Sequence, residues 1–139
     1  MTGDPADISR FFKLTEGRAL FAPEGIVSLE QVSELIRTAI EQAREKGASR
    51  MLVNALQLTG FPSPSVPERF WIVRGWAQAA QQRVAVAMVL QPHLIDADRF
   101  GILVAVNMGM RADVFTEPES AEAWLMSERP SSVVALIQK

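Results

Sequence analysis

The sequence contains no cysteine and a single histidine, His93. The lack of cysteine excludes disulfides, thiolate nucleophiles, iron–sulfur clusters and cysteine-ligated zinc sites. One histidine is too few for a metal site that depends on several imidazole ligands. The acidic residues also lack the spacing of a calcium loop. We therefore expect no metal and no cofactor in this protein.

The sequence also lacks a basic surplus and long apolar runs. Its formal net charge is −2 and its pI is about 5.4, which argues against a partner nucleic acid. The longest apolar runs, such as residues 84–90, are too short to cross a bilayer, so we expect no membrane insertion. The first ten residues contain no apolar stretch of the kind found in a secretory signal. These features predict a cytoplasmic protein.

The length and composition are those of one globular domain. The chain has 139 residues, of which 48% are hydrophobic and 22% are charged, enough to close a single core. We predict one domain over residues 1–139, with a flexible N-terminus at residues 1–9. The tail at residues 128–139 contains the apolar run Val133–Ile137, which could pack on the domain, pair with an edge strand or swap into a partner.

Three segments carry the sequence pattern of a capping box at a helix N-terminus, in which a serine or threonine precedes a Glu or Gln by three residues. They begin at Ser28, Ser65 and Thr116. The apolar residues after Ser28 recur at three- and four-residue intervals, which predicts an amphipathic helix. Gly47 ends this helix, because glycine readily adopts the left-handed backbone conformation.

The remaining segments alternate between buried strands and helices, a pattern typical of a mostly parallel sheet with right-handed crossovers. The run at 84–90 has no polar alternation, which indicates a central strand covered on both faces. A glycine-containing turn at residues 15–17 predicts an antiparallel hairpin before the first helix. The predicted strands are 11–14, 18–22, 50–54, 84–90 and 112–115, and the predicted helices are 28–46, 65–81, 98–108 and one after Thr116.

Residues distributed over most of the chain resemble the SpoIIAA-like branch of the STAS superfamily. The resemblance extends from about residue 11 to residue 125. It is carried by Arg44-Glu45-Lys46-Gly47, Met51-Leu52-Val53-Asn54, Leu58-Thr59-Gly60, Glu68-Arg69-Phe70, Ala87-Met88-Val89, Phe100-Gly101, Asn107-Met108-Gly109, Val114-Phe115 and Ala121-Glu122-Ala123-Trp124-Leu125. It implies an α/β domain with a mostly parallel sheet of four to five strands, an N-terminal antiparallel hairpin and about four helices, the helices mainly on one side.

The family also implies a type of regulation that this sequence does not fully match. In its anti-sigma-factor antagonists, a partner kinase phosphorylates the serine of an Asp-Ser pair that lies where a helix begins after a central strand. The matching loop of this chain, residues 54–65, contains no Asp-Ser pair. Thr59, Ser63 and Ser65 are the hydroxyl residues in this loop that could be phosphorylated.

The same loop is the first candidate binding site. It follows the carboxyl end of a predicted strand, where ligands of open α/β sheets bind, and it ends at a helix N-terminus, which favours anions. Its candidate residues are Asn54, Thr59, Gly60, Phe61, Ser63 and Ser65. The alternative is purely structural: Ser65 caps the helix, and the prolines stiffen the crossover.

The helix after Ser65 carries two tryptophans, Trp71 and Trp76, and is apolar around much of its circumference. Such a helix is either deeply buried or faces a partner or ligand. With Phe61 it could form a homodimer surface or an apolar pocket, or it could be covered by the C-terminal tail.

His93 follows the central strand and is a candidate acid or base. It could form a triad with Asp96 and either Thr59 or Ser63, although no nucleophile-elbow sequence accompanies it. The alternative is a solvent-exposed loop histidine without a catalytic role.

Three functions follow from these features. The first is a non-enzymatic regulatory or protein-interaction domain, whose partner is a second copy of the chain, in a homodimer, or another protein. The second is a carrier or sensor of a small apolar or lipid-like ligand, by analogy with the fold of lipid-binding CRAL-TRIO domains. An enzyme based on His93 is the third.

Overall fold

The structure is a computed structural model that describes residues 8–128. It is an α/β fold whose mixed sheet of five strands has the order β1-β2-β4-β6-β7, with only β1 antiparallel to its neighbour. The elements are β1 Phe12–Thr15, β2 Arg18–Phe21, β3 Gly25–Ile26, α1 Leu29–Glu45, β4 Arg50–Asn54, β5 Leu58–Thr59, α2 Val66–Ala80, β6 Ala85–Val89, α3 Phe100–Asn107, β7 Ala112–Phe115 and α4 Pro118–Ser127. The predicted class, the mostly parallel sheet and the N-terminal hairpin are confirmed. The predictions for residues 1–7 and for the tail from residue 129 lie outside the described residues.

The hairpin between β1 and β2 turns at two residues with positive φ, Glu16 at 49° and Gly17 at 80°. Positive φ at both central residues is the type I′ geometry, whose twist matches that of the flanking strands. The hairpin places β2 beside β4 in parallel register, so that Phe21 pairs with Val53.

Two of the three predicted capping boxes are present, at Ser28 and Ser65, each with both reciprocal hydrogen bonds. The prediction at Thr116 is wrong. The helix α4 begins at Pro118, and the residue at its N-cap is Glu117, which makes no side-chain capping bond. Proline favours the first helical position because its missing N–H has no helical acceptor there, so Pro118 moves the helix start one residue beyond the one the pattern indicates.

The sheet divides the core into two layers. The helices α1, α2 and α3 cover one face, and α4 covers the other. Along β6, Val86 and Met88 belong to the first layer, whereas Ala85, Ala87 and Val89 belong to the second. Because both faces of this strand are covered, its sequence shows no polar alternation.

A second, two-stranded sheet pairs β3 with β5 and was not predicted, since two-residue strands leave no periodic signal. It lies where the chain continues from β2 and β4. Gly60 follows it with φ at 98°, and a Cβ added there would lie 2.7 Å from Ile26 Cγ2 and 3.0 Å from the carbonyl oxygen of Val27. Gly60 is therefore required both by its backbone conformation and by the closeness of the neighbouring chain.

Candidate functional site

An apolar cavity of about 110 Å³ lies between the sheet and the three helices that cover its first face. Its lining is hydrophobic apart from four charged side chains. The hydrophobic lining residues come from all three helices, from β6 and β7, and from the loops after β4, β5, β6 and α3: Leu29, Val32, Ile36, Ala55, Phe61, Pro64, Ile72, Val73, Trp76, Val86, Met88, Leu90, Leu94, Ile95, Gly101, Ile102, Ala105, Met110, Ala112 and Val114.

Beside the cavity, Arg69 and Val73 of α2 pack over Gly101 of α3. A Cβ added at this position would lie 3.5 Å from Val73 Cγ2 and 3.5 Å from Arg69 Cδ, which is ordinary van der Waals contact. The glycine thus leaves room for the stem of Arg69 to pack across α3. Alanine would also fit at this position, so the packing of α2 on α3 does not require a glycine here.

Trp76 forms part of the cavity wall nearest to α1. Its Nε1–H donates a hydrogen bond of 3.0 Å to the carbonyl oxygen of Ser33. Because a buried indole N–H needs a partner, this bond fixes the orientation of the ring and ties α2 to α1.

Charged side chains mark the side on which the cavity meets solvent, since charged groups keep contact with water. The four are Arg69, Asp96, Arg99 and Asp113. Arg99 forms an ion pair with Asp113, and Arg69 lies 3.7 Å from Asp96 through Nε and Oδ1. Each arginine is thus matched by one aspartate, and the rim carries no net formal charge.

Arg69 is the most buried of these groups, with 13% of its side chain exposed. Its guanidinium donates from Nη1 to the carbonyl oxygen of Leu94 at 3.1 Å. It donates from Nη2 to Ser63 Oγ at 3.2 Å and to the carbonyl oxygen of Pro64 at 3.4 Å. One side chain on α2 therefore joins the loop after β5 to the loop after β6.

The carboxylate of Asp96 has a second role at the rim. It accepts hydrogen bonds from the backbone N–H of Phe100 at 2.9 and 3.2 Å, which satisfies a free donor at the start of α3. The loop after β6 is therefore held at two nearby points in its middle, by Asp96 to the start of α3 and by Leu94 to Arg69.

Among the described lining residues other than the four charged ones at the rim, the side-chain hydrogen-bonding group is the indole N–H of Trp76, which is already bound to Ser33. Among the described residues, the buried side-chain polar atom that lacks a hydrogen bond is Arg44 Nε, and Arg44 does not line the cavity. A ligand with a charge or several hydrogen-bonding groups would lose its hydration there without compensation. The arrangement fits an uncharged, apolar molecule.

The residues predicted as a binding loop are in part structural. Asn54 Oδ1 accepts from the backbone N–H of Leu56 at 3.1 Å, and Ser65 caps α2 through Glu68. Gly60 allows the close approach to Ile26, and Thr59 is an exposed residue of β5. These contacts give the loop its shape without forming a common site.

Phe61 and Ser63 are the loop residues that reach the cavity. Phe61 is half-buried and forms part of its lining, and the exposed Ser63 accepts a hydrogen bond from Arg69 at the rim. The structure therefore joins this end of the loop to the helix that carries Trp76.

The two tryptophans of α2 point in different directions. Trp76 is half-buried and lines the cavity, whereas Trp71 is 61% exposed on the outer side of the helix. Trp71 packs edge-on against Phe70, with 5.1 Å between the ring centroids, and the guanidinium of Arg74 lies 5.2 Å above its ring. They cannot both belong to one flat contact surface.

The structure does not assemble a triad from the residues predicted for it. Ser63 Oγ and Asp96 both contact Arg69, an arginine that cannot act as a base near neutral pH. His93 is exposed on a short 3-10 turn, Pro92–Leu94, and is not one of the lining residues.

Sequence reasoning missed Arg69 as a site residue, although a signal was present. Arg69, Val73 and Trp76 follow one another at helical spacing on the side of α2 that faces inward. An arginine within such a stripe indicates an inward-facing cation that needs acceptors. Its acceptors, the carbonyl groups of Pro64 and Leu94, could not be predicted because they depend on how two loops meet.

No protein-family model and no curated protein sequence matches the chain. The chain is similar to a solved structure described as the NMR structure of the protein TM1081, with 12% identity and a TM-score of 0.44 over 84% of this chain and 88% of that chain. A TM-score below 0.5 does not establish a shared fold or a shared function. The resemblance to the SpoIIAA-like branch stays a prediction.

Neither a metal cluster nor a membrane span is found in the part of the chain that the structure describes. Within residues 8–128, no three acidic or histidine side chains are grouped as they would be to hold a metal ion. Over the same range, none of the helices combines the length and the apolar character that a membrane span requires.

Proposed function

We propose that this domain binds a small, uncharged, apolar molecule in the cavity between the sheet and α1, α2 and α3, and acts as its carrier or sensor. The observation that carries the proposal is the cavity itself, about 110 Å³ with a mainly hydrophobic lining. Interiors contain few voids larger than a water molecule, and a void lined by apolar groups holds water poorly.

The volume limits the size of the ligand. An engineered cavity of about 150 Å³ with a similar lining binds benzene or xenon, whereas pockets for drug-sized ligands span roughly 300–1,000 Å³. At about 110 Å³, this cavity suits a compact molecule no larger than a single small ring. A long acyl chain would require the helices to move apart, so a small ligand is favoured over a lipid.

The experiment uses two probes, xenon and fluorobenzene, added to the whole protein and followed by 129Xe and 19F NMR. Methyl resonances of Val73 and Ile72, which line the cavity, report whether a probe enters it. We expect saturable shifts in the wild-type protein, and none after Ala105→Leu, which places three additional carbons in the space beside α3.

A matched control separates a filled cavity from a damaged core. Ala39 is fully buried on α1 but does not line the cavity, so Ala39→Leu should be destabilising by about 1–3 kcal/mol through overpacking. Ala105→Leu should cost less than Ala39→Leu, because its carbons enter existing space. Equal losses for the two variants, together with no probe binding to the wild type, would contradict the proposed function.

As a second candidate function, we propose regulatory binding to a protein partner. The partner that we test is a second copy of the chain, in a homodimer. The supporting observation is the exposure of Trp71, at 61%, beside Phe70 at 37% and Val66 at 61%. Tryptophan is enriched among the residues that dominate binding energy at interfaces.

The test measures self-association by sedimentation velocity and native mass spectrometry. If α2 forms the contact, Trp71→Ser converts a dimer into a monomer. The control Met126→Ser removes an apolar side chain that is 66% exposed on α4, on the opposite side of the sheet, and should leave the mass unchanged. A wild-type protein that stays monomeric at high concentration would count against a homodimer.

A further inference from the structure

We infer that Arg69 acts as a latch on the cavity. Its hydrogen bonds join the loop after β5 to the loop after β6, here called the two rim loops, and these bonds set the rate at which a ligand enters and leaves. This inference rests on the proposed ligand-binding function, and it adds the control of access to the same site.

Arg69 lies where it can control access to the cavity. It lines the cavity, and its guanidinium contacts residues 63 and 64 on one loop and residues 94 and 96 on the other. Both loops also contribute lining residues, Phe61 and Pro64 from one and Leu94 and Ile95 from the other. Separating the loops therefore opens the lining on the side where the charged groups meet solvent.

The bonds that hold the loops are of a kind that can break locally. Arg69 donates to two backbone carbonyl oxygens and one hydroxyl, and its nearest carboxylate oxygen lies 3.7 Å away, beyond hydrogen-bond distance. An arginine held mainly by neutral acceptors is released at a lower cost than one in a close, bidentate ion pair. The bonds can therefore break while the rest of the domain stays folded.

A narrow space separates the stem of Arg69 from the backbone of α3. The stem of Arg69 packs beside Gly101, where even a methyl group would fit in ordinary contact at 3.5 Å. The space between the stem and the α3 backbone is therefore about one methyl group wide, so α3 does not press tightly on the stem at this point.

The test compares Arg69→Met with Arg74→Met. Methionine keeps an apolar stem against α3 but removes every donor. Arg74 lies on the same helix and stacks on Trp71, so its variant controls for the loss of one positive charge from α2. Fluorobenzene exchange is followed by 19F line shape and saturation transfer on the whole protein.

For Arg69→Met we expect the association and dissociation rate constants of fluorobenzene to rise together by at least tenfold, with less than a threefold change in Kd. Arg74→Met should leave both rate constants unchanged. A general loosening of the core would instead change Kd by more than threefold. Rate constants that stay the same in Arg69→Met, or a change confined to Kd, would overturn the latch.

The latch can also be judged if no probe binds. The amides of Leu94 and Ile95 donate to Gln91 and Pro92 carbonyl oxygens at 3.0 and 3.1 Å, so their hydrogen exchange is protected while the loop is in place. Arg69→Met should raise the exchange rates of both amides at least threefold, with Arg74→Met as the control. Faster exchange without probe binding would contradict the proposed function alone, whereas unchanged exchange would overturn the latch with or without a ligand.

Discussion

Trp76 Nε1 lies 3.0 Å from the carbonyl oxygen of Ser33, so the indole that walls the cavity is fastened to α1. The same indole contributes to the main core and to the cavity lining. This one contact links the stability of the α1–α2 pair to the shape of the space that a ligand would occupy. Substitutions at Trp76 should therefore change both properties.

We predict that Trp76→Leu lowers the free energy of unfolding by about 2–4 kcal/mol, because it removes a large part of a half-buried ring that packs on the core and leaves a larger cavity. The enlarged cavity should accept naphthalene, which the wild type should exclude. Urea denaturation measures the first effect, and ligand-induced methyl shifts measure the second. As a control, Trp71→Leu on the outer side of α2 should change stability by no more than about 0.5 kcal/mol. Similar losses for the two variants would show that the inward and outward assignments are wrong.

Gly60 gives a second prediction, on the small sheet that shapes the loop before α2. Gly60→Ala should be more destabilising than Gly47→Ala, although both positions have positive φ, 98° and 83°. At Gly47 an added Cβ meets nothing within 4 Å, so alanine there costs only the left-handed conformation, about 1–2 kcal/mol. At Gly60 the methyl group also collides with Ile26. Urea denaturation of both variants tests this order, and equal losses would mean that Ile26 moves aside freely.

Much of the fold could be predicted from local patterns, whereas only single residues of the site, such as Phe61 and Trp76, could be predicted. The strand Arg50–Asn54 and the start of α1 at Ser28 follow from a short apolar run and a capping box, signals contained within a few neighbouring residues. The pairing of β3 with β5 joins residues about 33 positions apart through strands too short to show a period. The cavity depends on side chains from three helices and two strands, so no segment carries its signature. The clearest local signal of the site was Arg69, a cation at helical spacing with Val73 and Trp76 on the inward side of α2.

The capping box at Ser65 gives a third prediction, in which Thr116 serves as the control. Ser65→Ala should lower the free energy of unfolding by about 1 kcal/mol, because the hydroxyl accepts from the backbone N–H of Glu68. Thr116→Ala should have almost no effect, since α4 begins at Pro118 without a side-chain cap. Thermal and urea denaturation at pH 7 measure both. A comparable loss at Thr116 would contradict a start of α4 at Pro118.

The same box gives a prediction about pH. The backbone N–H of Ser65, and secondarily its hydroxyl, lowers the pKa of Glu68 by hydrogen bonding to the carboxylate. A carboxyl group with a lower pKa in the folded state stabilises the fold above its unfolded pKa, about 4.3, and loses that contribution as the pH falls through the folded value. Stability should therefore fall below pH 5, and Glu68→Gln should make this fall shallower. Part of the fall should remain in the variant, because the hydrogen bond from Arg37 lowers the pKa of Glu34 as well. Identical pH profiles for the variant and the wild type would contradict the role of Glu68.

The two arginines of the cavity rim should differ in their contributions to stability, although each has an aspartate beside it. Arg99 and Asp113 form an ion pair whose side chains are 48% and 28% exposed, so its coupling free energy should be below about 1 kcal/mol and should fall with added salt. Arg69 is 13% exposed, and its removal leaves the carbonyl oxygens of Pro64 and Leu94 without their donor, which should cost about 1–3 kcal/mol with little dependence on salt. A double-mutant cycle of Arg99→Gln and Asp113→Asn measures the coupling free energy, and Arg69→Met measures the loss of the carbonyl contacts. Both measurements are made in 0.05 and 0.5 M salt, on the order of a threefold change in screening length. An Arg99–Asp113 coupling that is larger than the loss in Arg69→Met and insensitive to salt would contradict this ranking. It would mean that the Arg99–Asp113 ion pair is shielded from solvent and contributes more to stability than the contacts of Arg69.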